Sequence, residues 1–151
     1  MATLTLTISE DINLNGRSRG SEVVQSVTSI TEVYHRIMNV TQNVSHTLLE
    51  LSTAANATEG HKPINSGLQY LRITNLDGSN SVVVEVIDSS SEEYGVLLGP
   101  NESFILNNAK IDANASGNSS IGASGDMTDI DKIAATGNGG ACDVEVFAAI
   151  S

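Results

Sequence analysis

The stretch LQYLRITNLDGSNSVVVEVIDSSSEEYGVLLGPNESFIL, which runs from Leu68 to Leu106, decides the fold of this chain. Apolar and polar residues alternate within it, and clusters of Gly, Pro, Asn and Ser separate the apolar runs. Such period-two alternation between turn clusters is typical of antiparallel β-sheet. The segment contains no His and no Cys, so it predicts a three-strand meander that presents a surface rather than reactive groups.

Alternating runs elsewhere predict further short strands at 3–9, 21–30, 47–52, 129–136 and 142–150. Asn15–Gly16 is a strong signal for a tight turn. The polar residues 107–126 contain few large apolar side chains and predict a long surface loop.

Residues 30–40 fit two interpretations. A helix is suggested by the spacing of their apolar members, which are Ile30, Val33, Tyr34, Ile37 and Met38. The many β-branched residues around them favour a strand with a bulge, and we adopt this second interpretation.

A chain of 151 residues has the usual size of one domain, here residues 1–151. Eight to ten short strands, with turn signals every 8–12 residues or so and no alternation of strands with helices, are typical of an all-β protein. The sequence therefore predicts a single antiparallel β-sandwich or jelly roll.

The charge of the chain limits its partners. Eighteen acidic residues outnumber seven basic ones, which gives a net charge of −11. The basic residues are scattered, and only Arg17 and Arg19 lie close together, in a predicted turn. Nucleic acids and anionic membranes bind clustered Lys and Arg, so neither is an expected partner. No basic segment precedes an apolar core at the start, which predicts no signal peptide and synthesis in a cytoplasm.

No set of residues predicts a catalytic, cofactor or metal site. His35, His46 and His61 lack a second His or Cys at the spacing of metal ligands. The acids Asp126, Asp129 and Asp131 do not have the spacing of a calcium loop, and Lys132 follows them. Cys142 lies in an apolar strand, where it is expected to be a small buried side chain whose pKa the neighbouring acids raise.

Four apolar side chains are candidates for an interface. Leu4, Leu6 and Ile8 form an apolar stripe in a strand at the start of the chain, and Glu10–Asp11 then interrupts that strand. Residues 1–9 are therefore expected to act as an arm that pairs with a neighbouring subunit, because an uncovered strand edge invites aggregation. Phe147 shares a strand face with Asp143 and Glu145, which indicates either a corner buried on both faces or a subunit contact.

Four segments carry a resemblance to a known family: ISEDINLNG (8–16), YLRITNLDGSNSVVVEVI (70–87), LLGPNESFIL (97–106) and ACDVEVFAAI (141–150). Together they resemble small β-sandwich structural proteins of tailed bacteriophages, above all those of marine and cyanobacterial phages. In such proteins the segment around Leu98, Gly99 and Pro100 is a turn that enters a strand and carries no catalysis. Asn101 stands where Gly is commoner, a departure that costs little because Asn tolerates positive φ.

This resemblance implies a non-enzymatic virion protein without cofactors. Its expected role is that of a capsid decoration (cement) protein on the exterior of the shell. The acidic charge fits an exterior position better than an interior packed with DNA. Its expected partners are the major capsid protein or other virion proteins and further copies of itself, with a trimer as the first expectation. The alternative within the class is a tail or head–tail component. A carbohydrate-binding module would need exposed aromatic residues, and a cupin-like enzyme would need clustered His and Glu ligands. The sequence offers neither.

Overall fold

Twelve β-strands account for most of the chain in the computed structural model, which describes residues 1–51, 67–88, 93–107 and 130–151. The first thirty residues contain β1 (Ala2–Glu10), β2 (Asn13–Leu14), β3 (Arg17–Ser18) and β4 (Ser21–Ile30). The remaining strands are β5 (Glu32–Val40), β6 (His46–Glu50), β7 (Leu68–Asn75), β8 (Ser81–Asp88), β9 (Glu93–Leu98), β10 (Ser103–Asn107), β11 (Ile130–Asn138) and β12 (Cys142–Ile150).

The strands β5 to β12 form two four-stranded antiparallel sheets that pack face to face. The first sheet has the order β10-β7-β12-β5 and the second has the order β6-β11-β8-β9. The first four of these strands thus pair with the last four in reverse order: β5 with β12, β6 with β11, β7 with β10 and β8 with β9. This connectivity is that of a jelly roll. The predicted all-β sandwich is confirmed.

The three-strand meander predicted for Leu68–Leu106 is wrong. The segment forms four strands, of which β7 and β10 belong to the first sheet and β8 and β9 to the second. Only the β8–β9 connection stays within one sheet. The short turn at 77–80 looks like a hairpin turn in sequence, but here it carries the chain from one sheet to the other.

Side chains that alternate along the strands fill the space between the two sheets. On β12, residues Cys142, Val144, Val146 and Ala148 are fully buried, in agreement with the face assigned from sequence. Leucine, isoleucine and valine side chains from the other strands pack against them, among them Leu71, Ile73, Val82, Val84, Val86 and Ile133. Burial of each of these aliphatic side chains stabilises the fold by about 1.5–3 kcal/mol.

Asn75 is the buried polar residue of the described core, and it holds two crossing loops together. Its side-chain amide donates to the carbonyl oxygens of Asn80 at 2.8 Å and Gly99 at 2.9 Å. Its side-chain oxygen accepts a hydrogen bond from the backbone N–H of Asp77 at 3.0 Å. One side chain therefore fixes both the β7–β8 and the β9–β10 crossings at the same end of the sandwich.

Residues 32–40 form a strand, which confirms the interpretation preferred from sequence over a helix. The predicted bulge is wrong for this strand, because β5 pairs with β12 in an unbroken register from Glu32 to Val40. The irregularity lies just before it, where the β1–β4 register shifts and Ser29 has a φ of 65°.

The turn between β9 and β10 agrees with the sequence. The Glu102 N–H donates to the Gly99 carbonyl at 3.2 Å, and Asn101 has a φ of 61°. Pro100 at the second position and a positive φ at the third are features of a type II turn. The long loop predicted at 107–126 lies outside the described residues apart from Asn107, which ends β10.

Candidate interaction surface

The predicted N-terminal arm is half of a hairpin, because β1 pairs with β4 of the same chain. The register runs from Leu4 opposite Val27 to Glu10 opposite Ser21. The tip is the β2–β3 pair, in which Leu14 lies opposite Arg17. Asn15 and Gly16 between them have φ values of 53° and 73°, as a type I′ turn requires. The arm thus extends over residues 1–30 instead of 1–9.

The base of this hairpin is anchored on the outer face of the first sheet. Leu4 and Leu6 are half-buried and pack against a second apolar cluster that contains Val27, Ile30, Tyr70 and Ala149. The Thr31 N–H donates to the Ile150 carbonyl at 2.8 Å, which ties the base to the end of β12.

The hairpin crosses the sheet and then passes its edge. The Asn107 side-chain amide, on edge strand β10, donates to the side-chain oxygen of Gln25. Every residue from Thr7 to Val24 is exposed. These residues therefore extend beyond the β10 edge of the sandwich.

Phe147 lies under the base of the hairpin. It is half-buried and belongs to the same apolar cluster as Leu4 and Leu6. Its ring is 6.0 Å from that of Tyr70 in an edge-to-face arrangement and 5.8 Å from that of His35. Both faces of β12 are thus covered at Phe147, in agreement with the interpretation as a corner buried on both faces. The chain's own hairpin covers the outer face. A contact of Phe147 with another subunit stays a prediction.

The overhanging part of the hairpin exposes five large apolar side chains. They are Ile8, Ile12, Leu14, Val23 and Val24. A two-stranded hairpin in water is marginally stable at best, and it needs a third strand or a packed face. Within the described residues, neither outer edge of this hairpin pairs with another strand. The overhang therefore has the features of a segment that is completed by a partner.

One face of the tip combines apolar and basic side chains. Residues opposite each other in an antiparallel pair point to the same side. The Leu14–Arg17 pair, together with the Arg19 N–H donating to the Ile12 carbonyl, places Ile12, Leu14, Arg17 and Arg19 on one face. Neither arginine makes an ion pair in the described part of the chain. The sequence predicts only a turn at these residues, although Asn-Gly between alternating strands is the signal of a hairpin.

A polar network covers the centre of the first sheet's outer face. The Glu145 carboxylate lies 2.8 Å from His35 Nε2 and 2.8 Å from Arg72 Nη2. Arg72 also donates to the Thr74 hydroxyl at 2.7 Å. The pKa of Glu145 is lowered, chiefly by the hydrogen bond from His35 and further by Arg72, against the opposing effect of burial. These groups satisfy one another, so the network fixes neighbouring strands.

The remaining candidate residues have structural surroundings. Cys142 is fully buried and its pKa is raised by burial first and then by Asp77 and Asp143, as expected for an apolar thiol near acids. His46 Nε2 lies 2.8 Å from the Thr41 hydroxyl and braces the β5–β6 loop. Within the described ranges, no three His, Cys, Asp or Glu side chains come together as metal ligands. His61, Asp126 and Asp129 lie outside those ranges.

No protein-family model, curated protein or solved structure matches the chain. The likeness to phage structural proteins therefore rests on the sequence segments alone. No helix in the described residues is long and apolar enough to cross a membrane.

Proposed function

We propose that the protein is a non-enzymatic structural subunit of a phage particle, a capsid decoration protein that oligomerises on the outside of the shell. The overhanging hairpin is the observation that carries this proposal. A sandwich with a complete core needs no such projection for its own stability. A projection with five exposed apolar side chains and two unpaired strand edges in the described structure is the kind of surface that a neighbouring subunit covers in an assembly.

The chemistry of the described surface supports a structural role. Its main group of convergent polar side chains, His35, Arg72, Thr74 and Glu145, forms hydrogen bonds and ion pairs within the group. Catalytic groups are usually set apart by unmatched or strongly perturbed neighbours in a cleft. This network instead links adjacent strands of one sheet across an open face.

The charge of the chain supports a position on the exterior of a shell. A net charge of −11 repels packaged DNA, so an outward site avoids an electrostatic penalty that a lumenal site would carry. The expected partners are the major capsid protein and further copies of the chain, with a trimer as the first expectation. Nucleic acid and membrane are not expected partners.

The test is to locate the chain in intact particles by electron cryomicroscopy and to measure binding of purified protein to particles that lack it. We expect density on the outer shell and binding by the full chain, and we expect no binding by a variant that lacks residues 2–30. Circular dichroism of this variant serves as the control for folding. Density at the tail or the head–tail junction would establish the alternative role instead. Absence of the chain from purified particles would contradict both.

A further inference from the structure

The outer face of the first sheet carries a second exposed patch, at the end opposite the hairpin base. We call it the Asp143 patch. It consists of Ile37, Asn39, Leu76 and Asp143, and Asp77 follows Leu76 in the adjoining turn. Asn39 and Asp143 lie opposite each other on β5 and β12, and the Leu76 N–H donates to the Asp143 carbonyl. Ile37 is 57% exposed and Leu76 is 42% exposed, so the patch combines two apolar side chains with the Asp143 carboxylate and adjoins that of Asp77.

Within the described ranges, neither carboxylate, Asp77 or Asp143, has a cationic side chain as a partner. Asp143 accepts a hydrogen bond from the Asn39 amide at 2.9 Å. Asp77 accepts from the backbone N–H groups of Ser79 at 2.8 Å and Asn80 at 2.6 Å. Neither makes an ion pair within the described residues, whereas Glu145 nearby is already matched by Arg72 and His35.

The hairpin tip is the chemical complement of this patch. It offers Ile12 and Leu14 beside Arg17 and Arg19 on one face, against Ile37 and Leu76 beside the two aspartates. The tip cannot reach the patch of its own chain. The hairpin crosses the opposite end of the sheet, from Ile150 to Asn107, and leaves over the β10 edge, while the patch lies towards the β5 edge.

We propose that the hairpin tip of one copy binds the Asp143 patch of a second copy, with the arginines of the tip facing Asp143 and the adjoining Asp77. This contact is the interface between subunits of the proposed decoration protein, and the inference rests on that proposed function. Tip and patch are different surfaces, so the contact is heterologous and closes into a ring when the rotation between copies permits. Two copies can also close reciprocally about a twofold axis, with each tip on the other's patch, and a trimer is the smallest cyclic ring beyond that dimer.

The experiment uses charge reversal in the full chain, with mass measured by analytical ultracentrifugation over a range of concentrations. Wild type is expected to form an oligomer of the 15.8 kDa chain. The variants R17E/R19E and D143R each place like charges together, and each is expected to weaken assembly by roughly tenfold or more. The triple variant R17E/R19E/D143R restores opposite charges at each contact and is expected to regain assembly.

Two controls accompany these variants. Ser18→Glu adds an acid to the other face of the same tip and is expected to leave assembly unchanged, and thermal melting verifies that every variant folds. A monomeric wild type at all concentrations would overturn the inference. Such a monomer can still bind particles through the tip, in which case the occupant is capsid protein and the proposed function stands. An oligomer insensitive to both reversals, or one not restored by the triple variant, would also overturn the assignment of tip to patch.

Discussion

The sandwich and the hairpin are built from strands with the same alternating pattern, but they use it differently. In β12 every second residue is fully buried between two sheets, whereas in β1 Leu4 and Leu6 are only half-buried and Ile8, nearer the tip, is exposed. The sandwich supplies both faces of its own core. The hairpin supplies a covered face only at its base. Alternation thus indicates that one strand face is apolar, and it does not indicate which molecule covers that face.

The strongest test of this comparison removes the same side chain from each region. Leu71 is fully buried, and Leu14 is 53% exposed at the hairpin tip. We expect Leu71→Ala to lower the free energy of unfolding by about 2–5 kcal/mol, because it leaves a cavity between the sheets. Leu14→Ala in the monomer is expected to change it by less than about 0.5 kcal/mol.

Urea denaturation of both variants under conditions where the chain is monomeric provides the measurement. Similar losses in the two variants would show that the tip packs against its own chain, and the contrast between the regions would fail.

A smaller effect distinguishes a buried amide from an exposed one. Asn75→Ala leaves the carbonyls of Asn80 and Gly99 without their donor, and it is expected to cost about 1–3 kcal/mol of the free energy of unfolding. Asn39→Ala removes a hydrogen bond to Asp143 at the surface and is expected to cost about 0.5 kcal/mol. Thermal unfolding compares the two variants, and an equal loss would refute a special role for Asn75 in holding the loops.

The smallest expected effect concerns Glu145. Its pKa is lowered in the folded chain, so its contribution to stability is complete above the ordinary pKa of about 4.3 and is lost as the pH falls through the lower folded value. The contribution is expected to be about 1 kcal/mol or less, as for other ion pairs near a surface.

Unfolding measured between roughly pH 6 and pH 3 should therefore show a shallower loss of stability in Glu145→Gln than in wild type. Asp131→Asn, which alters an exposed carboxylate elsewhere, is the matched control. A wild-type profile that coincides with that of Glu145→Gln would contradict the prediction.

Local signals in the sequence located most of the strands, but they did not specify which strands pair over long distances in the chain. The limits of β4 (Ser21–Ile30) and β12 (Cys142–Ile150) agree with the predicted strands. The sequence could not predict that β7 and β10 belong to one sheet while β8 and β9 belong to the other. Alternation and turn-forming residues do not specify which strand lies beside which. The buried Asn75, whose hydrogen bonds determine the crossing loops, looks in sequence like any turn residue.

The candidate surface was predicted in part. The stripe of Leu4, Leu6 and Ile8 was found because it alternates regularly, but its pairing with β4 was missed because the interruption at Glu10–Asp11 concealed a continuous hairpin. The basic and apolar face of the tip depends on that pairing, since Arg17 and Leu14 share a side only once the turn at Asn15–Gly16 is formed. Ile37, Leu76 and Asp143 come together only through the sheet.

The jelly-roll pairing also determines when this chain can fold. Strand β12 lies between β5 and β7, so Glu32 must find Ile150 near the other end of the chain before the first sheet is complete. Contacts so distant in sequence make folding slow, typically milliseconds to seconds, whereas an isolated hairpin forms in about 1–10 μs. During synthesis the β1–β4 hairpin can therefore form transiently before β12 is made, whereas the first sheet stays incomplete until β12 is available.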